Sequence, residues 1–323
     1  MMDQGKAFLR WLVGVVMGIG CTPTVAFGQA ASNADNGPGR LGLADDGTYL
    51  TVRLGGKLVV RYRYGAEPFK PYVAELRLPD GRNLLRDSPH DHKHHHGLMF
   101  AWNVDGVEFW GEAGQVGRQV HRRFRKPETG PKDGLACIAE DLDWIGPDGK
   151  KVLLRERRKI LIYADAGPAD RLITWESEFA GADPKRDVTI TGRKYFGLGA
   201  RFPVPMDKGS RFVTADGETQ VKRVDGSESR WCAITGNVAP SKPITLAMLD
   251  DPGNPRHPAK WFAMDRAFAY LSATIGLEGN PFVLKAGQRV VLRYGVAVWA
   301  KPVKADRVEQ TYRAWRKRSG PRR

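Results

Sequence analysis

The sequence predicts an all-β fold, antiparallel throughout and large enough for a two-sheet sandwich or a barrel. Three observations carry this expectation. Apolar and polar residues alternate with period two over long stretches, Gly-containing turns separate those stretches, and helical periodicity is confined to the C-terminal end. The 323 residues, with 37 Gly, 21 Pro and 41% hydrophobic residues, suit a globular chain and exclude disordered or fibrous classes.

In chain order, residues 1–30 read as a secretory signal. Lys6 and Arg10 supply the positive start, Trp11 to Gly20 the apolar run, and Ala26, Gly28 and Ala30 a cleavage region. That run is about ten residues, half of what a membrane-spanning helix needs, and no later stretch approaches that length. An exported protein, periplasmic or extracellular, is therefore expected, with no transmembrane segment. A lipoprotein reading at Cys21 is weakened because Met17 to Gly20 lacks the bulky residue usual three places before such a cysteine. Residues 31–45 are expected as a flexible leader, 46–318 as one β domain, and 319–323 as a basic tail.

Within the domain, KVLLRERRKILIY puts Val152, Leu154, Ile160 and Ile162 on one parity, and RLITWESEF alternates Ile173, Trp175 and Phe179 with Thr174, Glu176 and Glu178. RVVLRYGVAVW does the same with Val290, Leu292, Tyr294, Val296 and Val298. Each is a strand with one buried face. Turn chemistry lies between such runs at Pro79-Asp80-Gly81, Pro147-Asp148-Gly149, Ala215-Asp216-Gly217, Asp225-Gly226 and Ala286-Gly287. The one helix predicted starts at Asp306 as a cap, with Glu309 completing a capping box and Val308, Tyr312 and Trp315 forming an apolar stripe.

The formal charge is +15, from 51 Lys plus Arg against 36 Asp plus Glu. With no nucleic-acid motif in the chain, this balance points to acidic glycans or a membrane surface rather than nucleic acid. Cys137 and Cys232 are compatible with one disulfide in an oxidising compartment or with two buried thiols, and neither belongs to a CxxC knuckle. No GxSxG, Walker loop or HExxH motif is present, so serine hydrolase, NTPase and zinc protease chemistry has no support.

The densest chemistry is SPHDHKHHHGLMFAW. On an extended segment His90, His92, His94 and His96 would share one face, and His92, His94 and His95 are the expected catalytic imidazoles or ligands of a divalent metal. Asp91 is expected to bind substrate, and a carboxylate beside the imidazoles can complete or orient the set. Trp102 and Trp110, beside Asp105, Glu108 and Glu112, are expected as sugar-stacking faces. In LDDPGNPRHPAKWF three prolines make a rigid loop that offers Asn254 and Arg256 for substrate binding and His257 as a second proton carrier. GRKYFGLGARF contributes glycines for close backbone approach and Arg201 for an anionic or hydroxylated substrate.

These motifs, together with NPFVLKAGQRVVLRYGVAVW, resemble the exported bacterial proteins labelled PmoA family, over about Tyr49 to Trp315. The resemblance implies a large antiparallel two-sheet supersandwich, galactose-mutarotase-like, with a short C-terminal helix. It carries over onto Asp91, His92, His94, His95, Gly97, Asn254, Arg256 and His257. This chain departs at Lys93, where a proline is common, and at His96, a variable position that is not expected as a required ligand. Methane monooxygenase activity is not expected, since no apolar run of spanning length follows the signal. The resulting expectation is an exported carbohydrate-active protein doing epimerase, lyase or hydrolase chemistry. Its alternatives are a glycan-binding module without turnover and a His-ligated metal oxidoreductase.

Overall fold

The computed structural model describes residues 39–66, 68–126 and 134–319. The expected signal, most of the leader and the last residues of the basic tail lie outside them. The chain lays down β1 (Leu41–Asp45), β2 (Tyr49–Leu54), β3 (Lys57–Arg63), β4 (Tyr72–Leu76) and β5 (Leu98–Ala101), then β6 (Asn103–Val104) and β7 (Val107–Glu108). Longer strands follow as β8 (Arg118–Phe124), β9 (Leu135–Ile145), β10 (Val152–Tyr163) and β11 (Arg171–Gly181). Next come β12 (Val188–Thr191), β13 (Gly197–Arg201), β14 (Arg211–Thr214), α1 (Val221–Val224), β15 (Trp231–Ala239) and β16 (Lys242–Asp250). The chain ends in β17 (Lys260–Met264), β18 (Tyr270–Thr274), β19 (Phe282–Leu284), β20 (Arg289–Trp299) and α2 (Ala305–Ser319).

Two eight-stranded sheets result, ordered β1-β2-β3-β4-β5-β13-β18-β17 and β14-β15-β16-β20-β11-β10-β9-β8. Their pairings are antiparallel, as the alternation predicts. A third sheet of four short strands, β19-β12-β6-β7, was not foreseen, because strands of two to four residues carry too little periodicity to read. β1 also falls inside the expected leader: Leu41–Asp45 pairs with β2 from end to end.

The core lies between the two large sheets. Phe100 of the first meets Phe179 of the second at 5.5 Å between ring centroids, and Trp144 and Trp175 are fully buried on the same inner side. Trp102 packs into this layer, 4.6 Å from Phe179 and 1% exposed, so it is a core residue and not the sugar platform expected. Cys137 and Cys232 are buried thiols with no bond between them. The C-terminal helix lies where the stripe predicts, with Val308, Tyr312 and Trp315 buried against the outer face of the second sheet. Gly295 makes room for it, since a Cβ there would stand 2.9 Å from the Trp315 ring. Glu309 does not close a capping box. It accepts instead from the Trp231 indole (2.8 Å) and the Arg230 guanidinium (3.0 Å), fastening the helix to the sheet.

One polar cluster interrupts the apolar layer. Arg158 on β10 is 1% exposed and donates to Glu156 (2.8 Å), Gln119 (2.9 Å), the Tyr62 hydroxyl (3.0 Å) and the Pro71 carbonyl (2.9 Å). Glu156 also takes the Trp144 indole (2.8 Å) and the Ser177 hydroxyl (2.6 Å), and Glu140 takes the Tyr62 hydroxyl and an imidazole nitrogen of His121 (2.7 Å). Burial works against the Arg158 charge, but Glu156, Tyr62 and Glu140 hold it ionised. Removing the cation leaves the buried Glu156 carboxylate without its counter-charge, a change that costs about 3–5 kcal/mol. Arg158→Met is therefore expected to lower the unfolding free energy by that amount in urea titrations, whereas a loss under about 1 kcal/mol would contradict this role.

Candidate functional site

The histidine segment is a loop and not a strand. The His92 amide donates to the Pro89 carbonyl (3.0 Å) and the His95 amide to that of His92 (2.9 Å), giving two successive turns. Ser88 closes the loop, its amide on the His95 carbonyl (2.9 Å) and its hydroxyl on that of Lys93 (2.9 Å). The period-two face expected for the even-numbered histidines is therefore absent. Turn geometry instead stacks His92 on His95 (4.6 Å, 18°) and sets His94 edge-on to His95 (4.6 Å, 80°).

The loop covers one end of the first sheet's outer face. Register places Gly199, Arg201, Tyr270 and Ser272 on that face, because Leu198 and Ala200 point the other way with Leu98 and Phe100. Gly199 is required here: a Cβ would fall 2.1 Å from the Tyr270 hydroxyl, so the phenol lies across the glycine. Trp110 stacks flat on Phe196 (4.9 Å, 7°) and meets His95 (6.2 Å) and Tyr270 (6.3 Å) edge-on. Phe268 lies 3.7 Å below the Arg201 guanidinium and 5.3 Å from His95.

Four side chains here are buried yet keep unsatisfied polar atoms. Arg201 (0% exposed), Tyr270 (1%), Trp110 (2%) and His95 (7%) lie close together, the His95 ring 5.5 Å from that of Tyr270 and 6.2 Å from that of Trp110. Arg201 Nε and Nη1, the Tyr270 hydroxyl, Trp110 Nε1 and His95 Nδ1 find no hydrogen-bond partner among the described residues. Such atoms are rare in a native fold unless a ligand or ordered water completes them. The remaining Arg201 nitrogen, Nη2, reaches Asp91 at 3.5 Å, and Asp91 also accepts from His92 (3.1 Å).

Charge is unevenly distributed around the four. Burial, reinforced by His94, His92 and Arg201, lowers His95 to about 3, so its imidazole is neutral. Burial and then the Lys70 charge also lower His94. Tyr270 is pushed up by burial and stays a phenol. Behind them His96 stacks on Tyr72 (4.0 Å) and bridges Asp87 (2.6 Å) and Glu112 (2.8 Å), and fully buried Lys70 joins Glu112 (2.7 Å). Burial opposes the His96 charge, yet the bonds to Asp87 and Glu112 raise its pKa. Burial likewise opposes ionisation of Glu112, but His96 and Lys70 bring it down to about 2.

Asp91, His92, His94, His95, Trp110 and Arg201 thus come together as the sequence suggests, and the NPRHP loop does not join them. β17 and β18 run side by side, with Met264 opposite Tyr270 and Lys260 opposite Thr274. The loop precedes Lys260, so it lies at the far end of these strands, about 13 Å along β18 from Tyr270. Arg256 is no substrate ligand there. Its guanidinium clamps the turn after β18, bonding the carbonyls of Gly276 (3.1 Å), Asn280 (2.8 Å) and Pro281 (2.8 Å). Asn254 bonds Asp250 (2.6 Å) and both backbone groups of Arg293, and His257 bonds Asp250 (2.6 Å), so these hold the loop to β16 and β20.

The metal expectation also meets a geometric obstacle. Stacked imidazoles carry their lone pairs in parallel planes, so His92 and His95 cannot aim at one ion while His94 stands edge-on. Among the described residues no group of three or more His, Cys, Asp and Glu side chains has metal-site geometry. Sequence reasoning missed Tyr270, Phe268, Lys70 and Asp87 and discounted His96. Only Gly199, the partner of the Tyr270 hydroxyl, left a readable trace.

A family model described as Family of unknown function (DUF6807) matches residues 49–313. No curated protein matches. Among solved structures, a GH36 alpha-galactosidase from Geobacillus stearothermophilus crystallised with stachyose is 12% identical, with a TM-score of 0.46, over 86% of this chain and 44% of that one. An alpha-galactosidase from Lactobacillus brevis is 6% identical, at 0.46, over 84% and 40%. A Synechocystis protein is 9% identical, at 0.38, over 82% and 90%. The chain spans less than half of each galactosidase, and none of these matches carries the PmoA label that the motifs resemble. Among the described residues no helix is long and apolar enough to cross a membrane.

The His96 network has a pH signature. Its folded pKa lies above the ordinary 6.5, so its stabilisation is complete below that value and is lost as pH rises through the folded one. Denaturation at about pH 6 and about pH 9 is expected to show native stability falling over this range. His96→Gln is expected to be less stable at the lower pH and to show a smaller fall. An unchanged pH dependence in that variant would refute the assignment.

Proposed function

The chain belongs to the DUF6807 family, and from that premise we propose that it is a carbohydrate-active protein whose site takes a sugar bearing a carboxylate. The observation that carries this reading is the convergence of buried, unpartnered atoms on Arg201, Tyr270, Trp110 and His95. Three of the four side chains offer donors, and oxygen-rich ligands satisfy donors. The guanidinium suits a carboxylate, since Asp207 and Asp91 offset its charge only in part and its ion pair with Asp91 is a long 3.5 Å. The Trp110 indole N–H, buried and without a partner among the described residues, adds a donor for a sugar oxygen.

The chemistry that fits is proton transfer at the carbon next to the carboxylate, as in an epimerase or a lyase. His95, neutral with a free lone pair, takes that proton. Arg201 stabilises the charge that spreads into the carboxylate as the C–H bond breaks. In elimination, the C–O bond one carbon further breaks as the double bond forms, and the Tyr270 phenol, 5.5 Å from His95 between ring centroids, protonates the departing oxygen. An anionic ligand beside His95 raises the proton affinity that burial depresses. The charged start and apolar run of residues 1–30 support an exported site of action.

A second reading, a glycan-binding module without turnover, draws on one observation. An imidazole lowered to about 3 is a weak base in the free protein.

Uronic acid oligosaccharides are expected to bind the intact chain more tightly than their neutral counterparts in titration calorimetry. Losing one charge-assisted pair costs about 1.5–3 kcal/mol, so Arg201→Met should weaken uronate binding roughly 10- to 150-fold and barely alter neutral sugars. Equal affinity for both sugar types would overturn the carboxylate assignment. NMR of the incubated sugars reads turnover: a new unsaturated or epimerised product that His95→Ala abolishes supports catalysis, and binding without product selects the second reading.

A further inference from the structure

The outer face of the second sheet carries a second feature, remote from the histidine loop. Beside α2, which covers part of this face through Trp315, the strands β8, β9, β10, β11 and β20 expose a lattice of arginines and acids. Asp143 takes Arg122 at 2.7 Å with Arg155 at 3.9 Å, and Asp141 takes Arg123 at 2.7 Å and Arg125 at 2.6 Å. Glu178 takes Arg157 at 3.2 Å and also Arg289. Six cations thus share three carboxylates. The two signs also stand at different heights: side-chain exposure is 20% for both aspartates and 29% for Glu178, against 40–68% for the arginines.

A ligand approaching this face meets guanidinium groups first, with the acids below fixing their positions. The arginines lie on or just past β8, on β10 and on β20, with the acids on β9 and β11 between them, so the cations repeat about 9.6 Å apart across strands and about 6.6 Å along one face of a strand. We propose that this stripe is a docking surface for a linear acidic polysaccharide. A polymer with charge on every unit matches a repeating cation lattice. Planar guanidinium forks pair bidentately with carboxylate or sulfate. Two other polyanions fit less well. The groove these residues line contains no aromatic side chain on which single-stranded bases would stack. The exposed large hydrophobics, Val204 and Val283, lie outside it, so the stripe has no apolar anchor for a bilayer. The inference stands apart from the sugar-acid reading of the histidine site and survives its failure.

The test uses the full chain and polygalacturonate, with dextran as the neutral control and with duplex DNA and phosphatidylserine vesicles as rival polyanions. Binding to polygalacturonate that weakens as salt rises, with none to dextran, is expected. Arg123→Gln, Arg155→Gln, Arg157→Gln and Arg289→Gln combined should weaken it by about tenfold or more. A charge-matched control, Arg307→Gln, Arg313→Gln, Arg316→Gln and Lys317→Gln on α2, should change it less than about twofold. Thermal melts confirm that both variants fold, and uronate oligosaccharide binding should be the same in both. Equal losses in the two variants would reduce the effect to net charge and overturn the proposal. So would DNA or vesicles binding as tightly as polygalacturonate, or no binding to polygalacturonate at all.

Discussion

The ion cluster at Arg158 joins the two large sheets. A sandwich held by apolar contact alone can slide, because dispersion has no direction, whereas a guanidinium with fixed donors cannot move without breaking several bonds at once. Arg158 and Glu156 lie on the second sheet, while Tyr62 and Pro71 belong to the first or its margin. Gln119 extends the network, its amide group donating to the Phe100 carbonyl on β5 at 2.8 Å. Such a cluster is costly to dehydrate and gains little net stability, so its return is register. The bond to Pro71 fixes the start of β4, where Tyr72 stacks on His96, and the bond to Phe100 fixes β5, which the histidine loop enters. The site inherits its position from the interior.

From that base the site assembles with few moving parts. Two strands supply Arg201 and Tyr270, and a loop closed by Ser88 supplies the imidazoles. A charged layer of Lys70, Glu112, His96 and Asp87 lies behind them. This layer pairs two cations with two acids, and nearer the site Asp207 and Asp91 face the Arg201 charge. The imidazole that faces the site is neutral and the one behind it favours its charged form, although they are adjacent in sequence. Environment, not residue type, separates their roles.

Long strands were legible in the sequence because their alternation survives over ten residues. Trp175 and Phe179 face inward while Glu176 and Glu178 face outward, as the pattern requires. The short strands of the third sheet gave no such signal. The histidine cluster was found by composition, but its geometry was misread, because period two was applied to a segment that Ser88 and Pro89 fold into turns. The NPRHP loop was recognised as rigid, but its distance from the histidines was not legible. Its Arg256 serves unpaired carbonyls of the next turn, a demand that only the folded backbone creates. Tyr270 was invisible, since a tyrosine at an alternating strand position is ordinary until its diagonal neighbour on the next strand is known to be glycine. The excess of positive charge was plain in composition, and its concentration above three recessed acids needed the register of five strands.

Gly199 has a consequence for how this site can diversify. The phenol of Tyr270 occupies the volume a side chain would fill, so the site's floor is set by a missing carbon atom on the neighbouring strand. A sequence in which position 199 gains even one methyl group must turn the ring elsewhere, exchanging a hydroxyl floor for an aliphatic one while the fold stays the same. The surface beside the histidines is then shaped from outside their loop, by the choice at position 199 between no side chain and a single methyl group.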